Sequence, residues 1–155
     1  MNYGEKAALI GKNGSGKSTL IKMILGQDTN FQGELKLGTS IKIGYISQNI
    51  IFEDNEKTVL DYFLEGNNLS ETEARSKLAK YGFRQENAFK RIGKLSGGEK
   101  VRIILMKLIQ RDINFLILDE PTNHIDIDTR EILEEALKEY KGTVLFVSHD
   151  RFFIN

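Results

Sequence analysis

The stretch LIGKNGSGKSTLI, Leu9 to Ile21, sets three glycines and two lysines between apolar flanks. Conformational freedom beside positive charge suits a phosphate group, and Gly11, Gly16, Lys17 and Ser18 fit the spacing G-x-x-x-x-G-K-[ST]. The pattern has meaning only where a strand enters the loop and a helix leaves it. Before it, KAALI (residues 6–10) is a short apolar run of the kind a buried parallel strand shows. After it, Leu20, Ile21 and Ile24 recur at helical spacing until Gly26. In such a loop the backbone N–H groups point at the phosphates, and the helix N-terminus adds partial positive charge. Gly14 and Gly16 leave room for that approach, Lys17 would reach the β- and γ-phosphates, and the Ser18 hydroxyl would ligate Mg²⁺. The alternative is a flexible glycine-rich turn with a solvated lysine, which the strand and helix in register disfavour.

Outward from this loop, composition sets the limits. A chain of 155 residues is expected to form one domain with a real core. Its 22 basic residues cancel its 22 acidic ones, so net charge gives no footprint for nucleic acid. The absence of cysteine rules out a disulfide framework or a thiolate site and suits a reducing compartment. The opening MNYGEKAALI lacks the apolar core of a signal peptide, and no apolar run approaches the roughly 18 residues of a membrane span. A cytoplasmic location without membrane insertion is expected.

Along the chain, strands and helices alternate around a polar, helical middle. GELKLGTSIKIGYISQ predicts two short strands, residues 34–37 and 41–46, joined at Gly38-Thr39-Ser40. TVLDYFLE then begins a helical region. In SETEARSKLAKYG, Ser70 and Glu73 form a capping box and Gly82 ends the helix. A further helix follows Ser96, with Glu99 three residues on and an apolar face through Val101, Ile104, Leu105 and Leu108. NFLILD and TVLFVS read as the last strands, flanking a helix in DTREILEEALKEYKG that Asp128 is expected to cap.

Strand ends carry the chemistry of an open α/β sheet. NFLILDE ends in adjacent carboxylates, Asp119 and Glu120. An apolar strand ending in Asp holds Mg²⁺ in P-loop folds, and a second carboxylate beside it can take a proton from an attacking water. The pairing points to hydrolysis; a solvated strand end or helix cap is the plainer reading of the motif by itself.

With these residues in place, a family resemblance becomes specific. LSGGE (residues 95–99) resembles the signature motif of the ABC ATPase family. It occurs in order with GKNGSGKST (11–19), YISQ (45–48), LILDEPT (116–122) and SHD (148–150). The resemblance covers nearly the whole chain. It implies that Gly11, Lys12, Asn13, Gly14, Ser15, Gly16, Lys17, Ser18 and Thr19 cradle the phosphates of ATP, and that Ser18, Gln48 and Asp119 serve Mg²⁺. Gln48 would also sense the γ-phosphate, Glu120 would position or deprotonate the water, and His149 would contact the γ-phosphate. Ser96, Gly97 and Gly98 would cap nucleotide bound to the P-loop of a second ABC domain, arranged head to tail in the same chain or as a homodimer. Ser96 with two glycines and Glu99 opens a helix, so its free N–H groups make a second anion-binding end. By itself LSGGE also reads as an ordinary capped helix start, and His149 as a structural histidine.

Within the family, EPTNHID (residues 120–126), LSGGEKVRI and SHDRFFI are similar to the second ATP-binding domain of the ABC-F branch. That resemblance implies two ABC domains per chain, no membrane part, and action on the ribosome, in translation regulation or in antibiotic resistance by ribosome protection. His124 alternatively packs at a domain interface. The strand entering the loop starts close to Met1, and Tyr3 lies too near it to stack on adenine. The chain is therefore expected to be a partial domain, truncated at both ends. The expected fold is α/β, a P-loop NTPase core of the ABC nucleotide-binding type over residues 1–155, with a small helical subdomain inserted at about 53–109. The expected activity is Mg²⁺-dependent hydrolysis of ATP to ADP and phosphate. A transporter's nucleotide-binding subunit and a nucleotide-gated binding module with little hydrolysis of its own are the alternatives.

Overall fold

The computed structural model describes residues 1–121 and 125–148. The chain divides into two compact units. Of the described residues, the first comprises 1–48, 113–121 and 141–148, and the second 49–112 and 125–140.

In the first unit, four strands form one parallel sheet in the order β1-β4-β3-β2, with β1 Lys6–Ile10, β2 Ile43–Ile46, β3 Phe115–Asp119 and β4 Thr143–Ser148. The two inner strands, β3 and β4, are buried at every residue, which is why FLILD and TVLFVS read as continuous apolar runs instead of alternating ones. Helix α1, Lys17–Ile24, follows β1 and lays Ile21 on the sheet among Phe115, Ile117, Leu145 and Val147. The sheet therefore ends, at the C-terminal edges of β1 and β3, in the glycine loop and in Asp119.

One predicted strand is absent. Residues 34–37 have no ladder partner among the described residues, and their exposed Glu34 and Lys36 pair with each other at 2.7 Å. Without a neighbour to take its N–H and C=O groups, an alternating GELKL pattern leaves its backbone in water. The following strand is shorter than expected, because pairing with β3 begins only at Ile43 opposite Phe115.

The second unit holds α2 Val59–Leu64, α3 Glu71–Lys80, two 3₁₀ turns, α4 Gly97–Gln110 and α5 Ile127–Glu139. It is wider than the 53–109 stretch, since α5 belongs to it as well. Thr58, Ser70 and Ser96 cap α2, α3 and α4, each accepting from the N–H three residues on, and Ser70 and Ser96 complete reciprocal boxes with Glu73 and Glu99. The capping residue of α5 is Asp126, not Asp128. Asp126 is extended and accepts from Thr129 N at 2.8 Å, while Asp128 already lies in the first turn. Val59, Phe63, Leu78, Phe83, Ile92, Ile103 and Met106 form the core, so α4 buries Ile103 and Met106 beyond its expected face. A cation is buried here too. Lys107 Nζ donates to Tyr62 O at 2.7 Å and lies 3.8 Å from the Tyr62 ring centroid, and burial holds its pKa below the ordinary lysine value.

Candidate functional site

The loop leaving β1 is shaped by its glycines. Gly16 is the N-cap of α1 with φ 89°, in the left-handed region that a side chain rarely adopts, and Gly14 has φ 79°. No acidic residue sits in the first turn of α1, so the helix end keeps its partial positive charge for an outside anion. Lys17 is buried, 8% exposed, and its ammonium donates to Gly11 O at 2.7 Å and Lys12 O at 3.1 Å. Those two carbonyls hold the charge inside the loop instead of releasing it to solvent. Ser15 N closes the turn on Lys12 O at 3.1 Å.

This loop walls one side of a cavity of about 360 Å³, lined by Asn13, Gly14, Gly16, Lys17, Ser18, Thr19, Gln48 and Glu120. Gln48 comes from the end of β2 and Glu120 from the end of β3. The sequence-predicted P-loop, glutamine and second carboxylate thus share one cleft. Gln48 Nε2 donates to Glu120 Oε2 at 3.2 Å. Glu120 has φ 49°, unusual for a residue with a side chain, and its N–H donates to Val147 O at 2.9 Å. That bond to β4 holds the strained backbone and turns the chain out of the sheet.

Asp119, one residue earlier, is buried at the end of β3. Burial raises its pKa and the neighbouring Glu120 adds to this, against the lowering effects of Tyr45 and Lys17. The Tyr45 hydroxyl donates to Asp119 Oδ2 at 3.3 Å, and burial together with that carboxylate pushes the Tyr45 pKa up to about 12. Among the described residues no group of three or more His, Cys, Asp or Glu side chains converges on a metal position. Ser18, Gln48 and Asp119 instead offer hydroxyl, amide and carboxylate oxygens, the hard donors Mg²⁺ takes when phosphates and water supply the rest. The donor set fits that ion.

Ser96, Gly97 and Gly98 belong to the second unit, at the start of α4. Ser96 Oγ accepts from Glu99 N at 3.2 Å, while Ser96 N donates to Glu99 Oε2 at 2.7 Å. Burial tends to raise the Glu99 pKa, but Lys90 at 2.9 Å and the Ser96 N–H outweigh it and hold the carboxyl below its ordinary value. The two glycines differ. A Cβ on Gly97 would meet nothing within 4 Å, whereas one on Gly98 would lie 2.8 Å from Thr129 Oγ1 and 2.9 Å from Thr129 Cγ2. Gly97 leaves backbone open for an approaching group; Gly98 is small because α5 is packed against it. Sequence reading did not find Thr129 or Tyr45, whose partners lie 31 and 74 residues away. Asn123, His124 and His149 lie outside the described residues.

A parallel sheet with a phosphate-type glycine loop after its first strand and a carboxylate at the end of a neighbouring strand defines the P-loop α/β class. The chain belongs to the ABC transporter family, whose sequence model matches residues 1–123. It is 48% identical over 156 residues to the protein YdiF of Bacillus subtilis, covering 100% of this chain and 24% of that one. It is 43% identical over 154 residues to ABC transporter F family member 2 of Arabidopsis thaliana, covering 97% and 23%. The chain thus spans about a quarter of the length of these relatives. Among solved structures, the archaeal ribosome recycling factor aABCE1, in complex with the ribosomal stalk protein aP1, superposes with a TM-score of 0.77 at 26% identity. That match covers 98% of this chain and 30% of the factor. Among the described residues no helix is long and apolar enough to cross a membrane.

Proposed function

We propose that this chain is an ABC-F type ATP-binding domain that hydrolyses ATP to ADP and phosphate with Mg²⁺, in a cytoplasmic protein that acts on the ribosome. The observation that carries the reading is the single cleft in which Lys17, Ser18, Gln48 and Glu120 meet. Lys17 turns from the Gly11 and Lys12 carbonyls to the β- and γ-phosphates, a charge-assisted exchange within the same loop. The N–H groups from Asn13 to Thr19 and the α1 N-terminus carry the rest of the triphosphate. Ser18, Gln48 and Asp119 would hold Mg²⁺, which would supply charge neutralisation at the phosphates. Glu120, already bonded to Gln48, orients the water and accepts its proton. Residues 53–109 act as a helical subdomain, whose Ser96, Gly97 and Gly98 cap the nucleotide on the P-loop of a second ABC domain.

The ribosomal role is supported by the relatives: one is named an F family member, and the aABCE1 neighbour is named a ribosome recycling factor. Steady-state ATPase activity with Mg²⁺, compared with Glu120→Gln, tests the chemistry. Co-sedimentation with ribosomes in the presence of ATP tests the role. Activity that is unchanged in Glu120→Gln refutes the first, and ATP-independent absence from the ribosome pellet refutes the second.

A further inference from the structure

Tyr45 shares the YISQ stretch with Gln48, but the hydrolytic reading gives it no task. It sits on β2, opposite Ile117 in the parallel register with β3. Alternation along β3 puts Ile117 and Asp119 on one face of the sheet, the face that packs Ile21 of α1. The Tyr45 ring packs into that same cluster. From there its hydroxyl reaches Asp119 Oδ2 at 3.3 Å. A carboxylate's terminal torsion is broad and roughly two-fold, so a strand-end Asp is not oriented by its own rotamer. A phenol fixed by a β-ladder and by core packing supplies the missing constraint.

We infer that Tyr45 is a positioning residue for the metal: its hydroxyl holds one oxygen of Asp119 and leaves the other for Mg²⁺. The inference rests on the reading of this cleft as an Mg²⁺–ATP site. Tyr45 touches neither the nucleotide nor the ion and acts through Asp119, as groups behind a metal ligand commonly do.

Tyr45→Phe removes the hydroxyl and keeps the ring. Two quantities are read on the whole chain: affinity for a slowly hydrolysed ATP analogue in EDTA, and Mn²⁺ affinity of the analogue-loaded protein by electron paramagnetic resonance. The variant should weaken Mn²⁺ binding about tenfold, the lower end of the usual effect behind a metal ligand. Nucleotide affinity in EDTA should stay within about twofold, the spread of unlinked sites. In an Asp119→Asn background, the same Tyr45→Phe change should move Mn²⁺ affinity by less than about twofold. Unchanged Mn²⁺ affinity in Tyr45→Phe, or a full loss that persists without the Asp119 carboxylate, overturns the inference while the ATP reading stands. Wild-type protein that binds no nucleotide overturns both.

Discussion

Adjacent glycines of the LSGGE stretch should respond in opposite directions to a single methyl group. In Gly98→Ala the new Cβ would sit 2.8 Å from Thr129 Oγ1, 2.9 Å from its Cγ2 and 3.2 Å from its Cβ, against the roughly 3.5–4.0 Å of a comfortable carbon contact. Thr129 has nowhere to go. It is fully buried, its hydroxyl donates to Asp126 Oδ2 at 3.0 Å, and its N–H donates to Asp126 Oδ1 at 2.8 Å as the cap of α5. Overpacking of this kind costs about 1–3 kcal/mol, and breaking the hydroxyl bond to relieve it costs roughly 0.5–1.5 kcal/mol. Replacing helical Gly by Ala returns at most about 1 kcal/mol. The net is a destabilisation of about 1–3 kcal/mol. Gly97 has open space and no positive φ, so Gly97→Ala should be neutral or stabilising by up to about 1 kcal/mol. Urea unfolding followed by far-ultraviolet circular dichroism reads both. Thr129→Ala in each background then completes a double-mutant cycle that should shrink the Gly98→Ala penalty. Gly98→Ala as stable as Gly97→Ala would refute the packing argument, as would a penalty untouched by Thr129→Ala.

Three further outcomes follow from the same geometry. Lys17→Ala should weaken binding of a fluorescent ATP analogue by about 10- to 150-fold, the equivalent of roughly 1.5–3 kcal/mol for a lost charge-assisted partner; equal affinity would remove Lys17 from the phosphate site. Glu120→Gln keeps size and one oxygen but takes no proton, so nucleotide binding should persist while turnover falls about 10²- to 10⁴-fold. That variant should accumulate as an ATP-dependent dimer in sedimentation, and a tightly binding monomer would contradict the head-to-tail site. The pKa values of Glu99 and Asp126 are lowered in the fold, Asp126 chiefly by the bonds it accepts from Thr129. Their contribution is therefore complete above the unfolded values of about 4.3 and 3.9 and is lost as pH falls through the lowered folded ones. Urea midpoints measured between pH 6 and 3 (roughly the span of these titrations) should fall less steeply in Glu99→Gln than in wild type.

What the sequence determined by itself was everything whose cause lies within a turn or two of chain. The glycine spacing of residues 11–16, the capping boxes at Ser70 and Ser96 and the buried runs FLILD and TVLFVS all appear where local patterns placed them. Each depends on hydrogen bonds three or four residues apart, or on uninterrupted apolar character. Tertiary structure decided the rest, because sheet pairing and helix packing join residues far apart in the chain. GELKL has the composition of a strand but finds no neighbour to pair with among the described residues, so it stays outside the four-stranded sheet. Asp126 takes the cap of α5 from Asp128 because the helix starts at Ile127, two residues before the position an Asp128 cap would set. Gly98 looks identical to Gly97 in the chain, and only the arrival of Thr129 on α5 gives it a different role. Glu120 enters the left-handed region because its N–H is claimed by Val147 on a strand formed 27 residues later. Tyr45 meets Asp119 only after the parallel register of β2 on β3 is set, a pairing between segments some 70 residues apart that no local signal encodes.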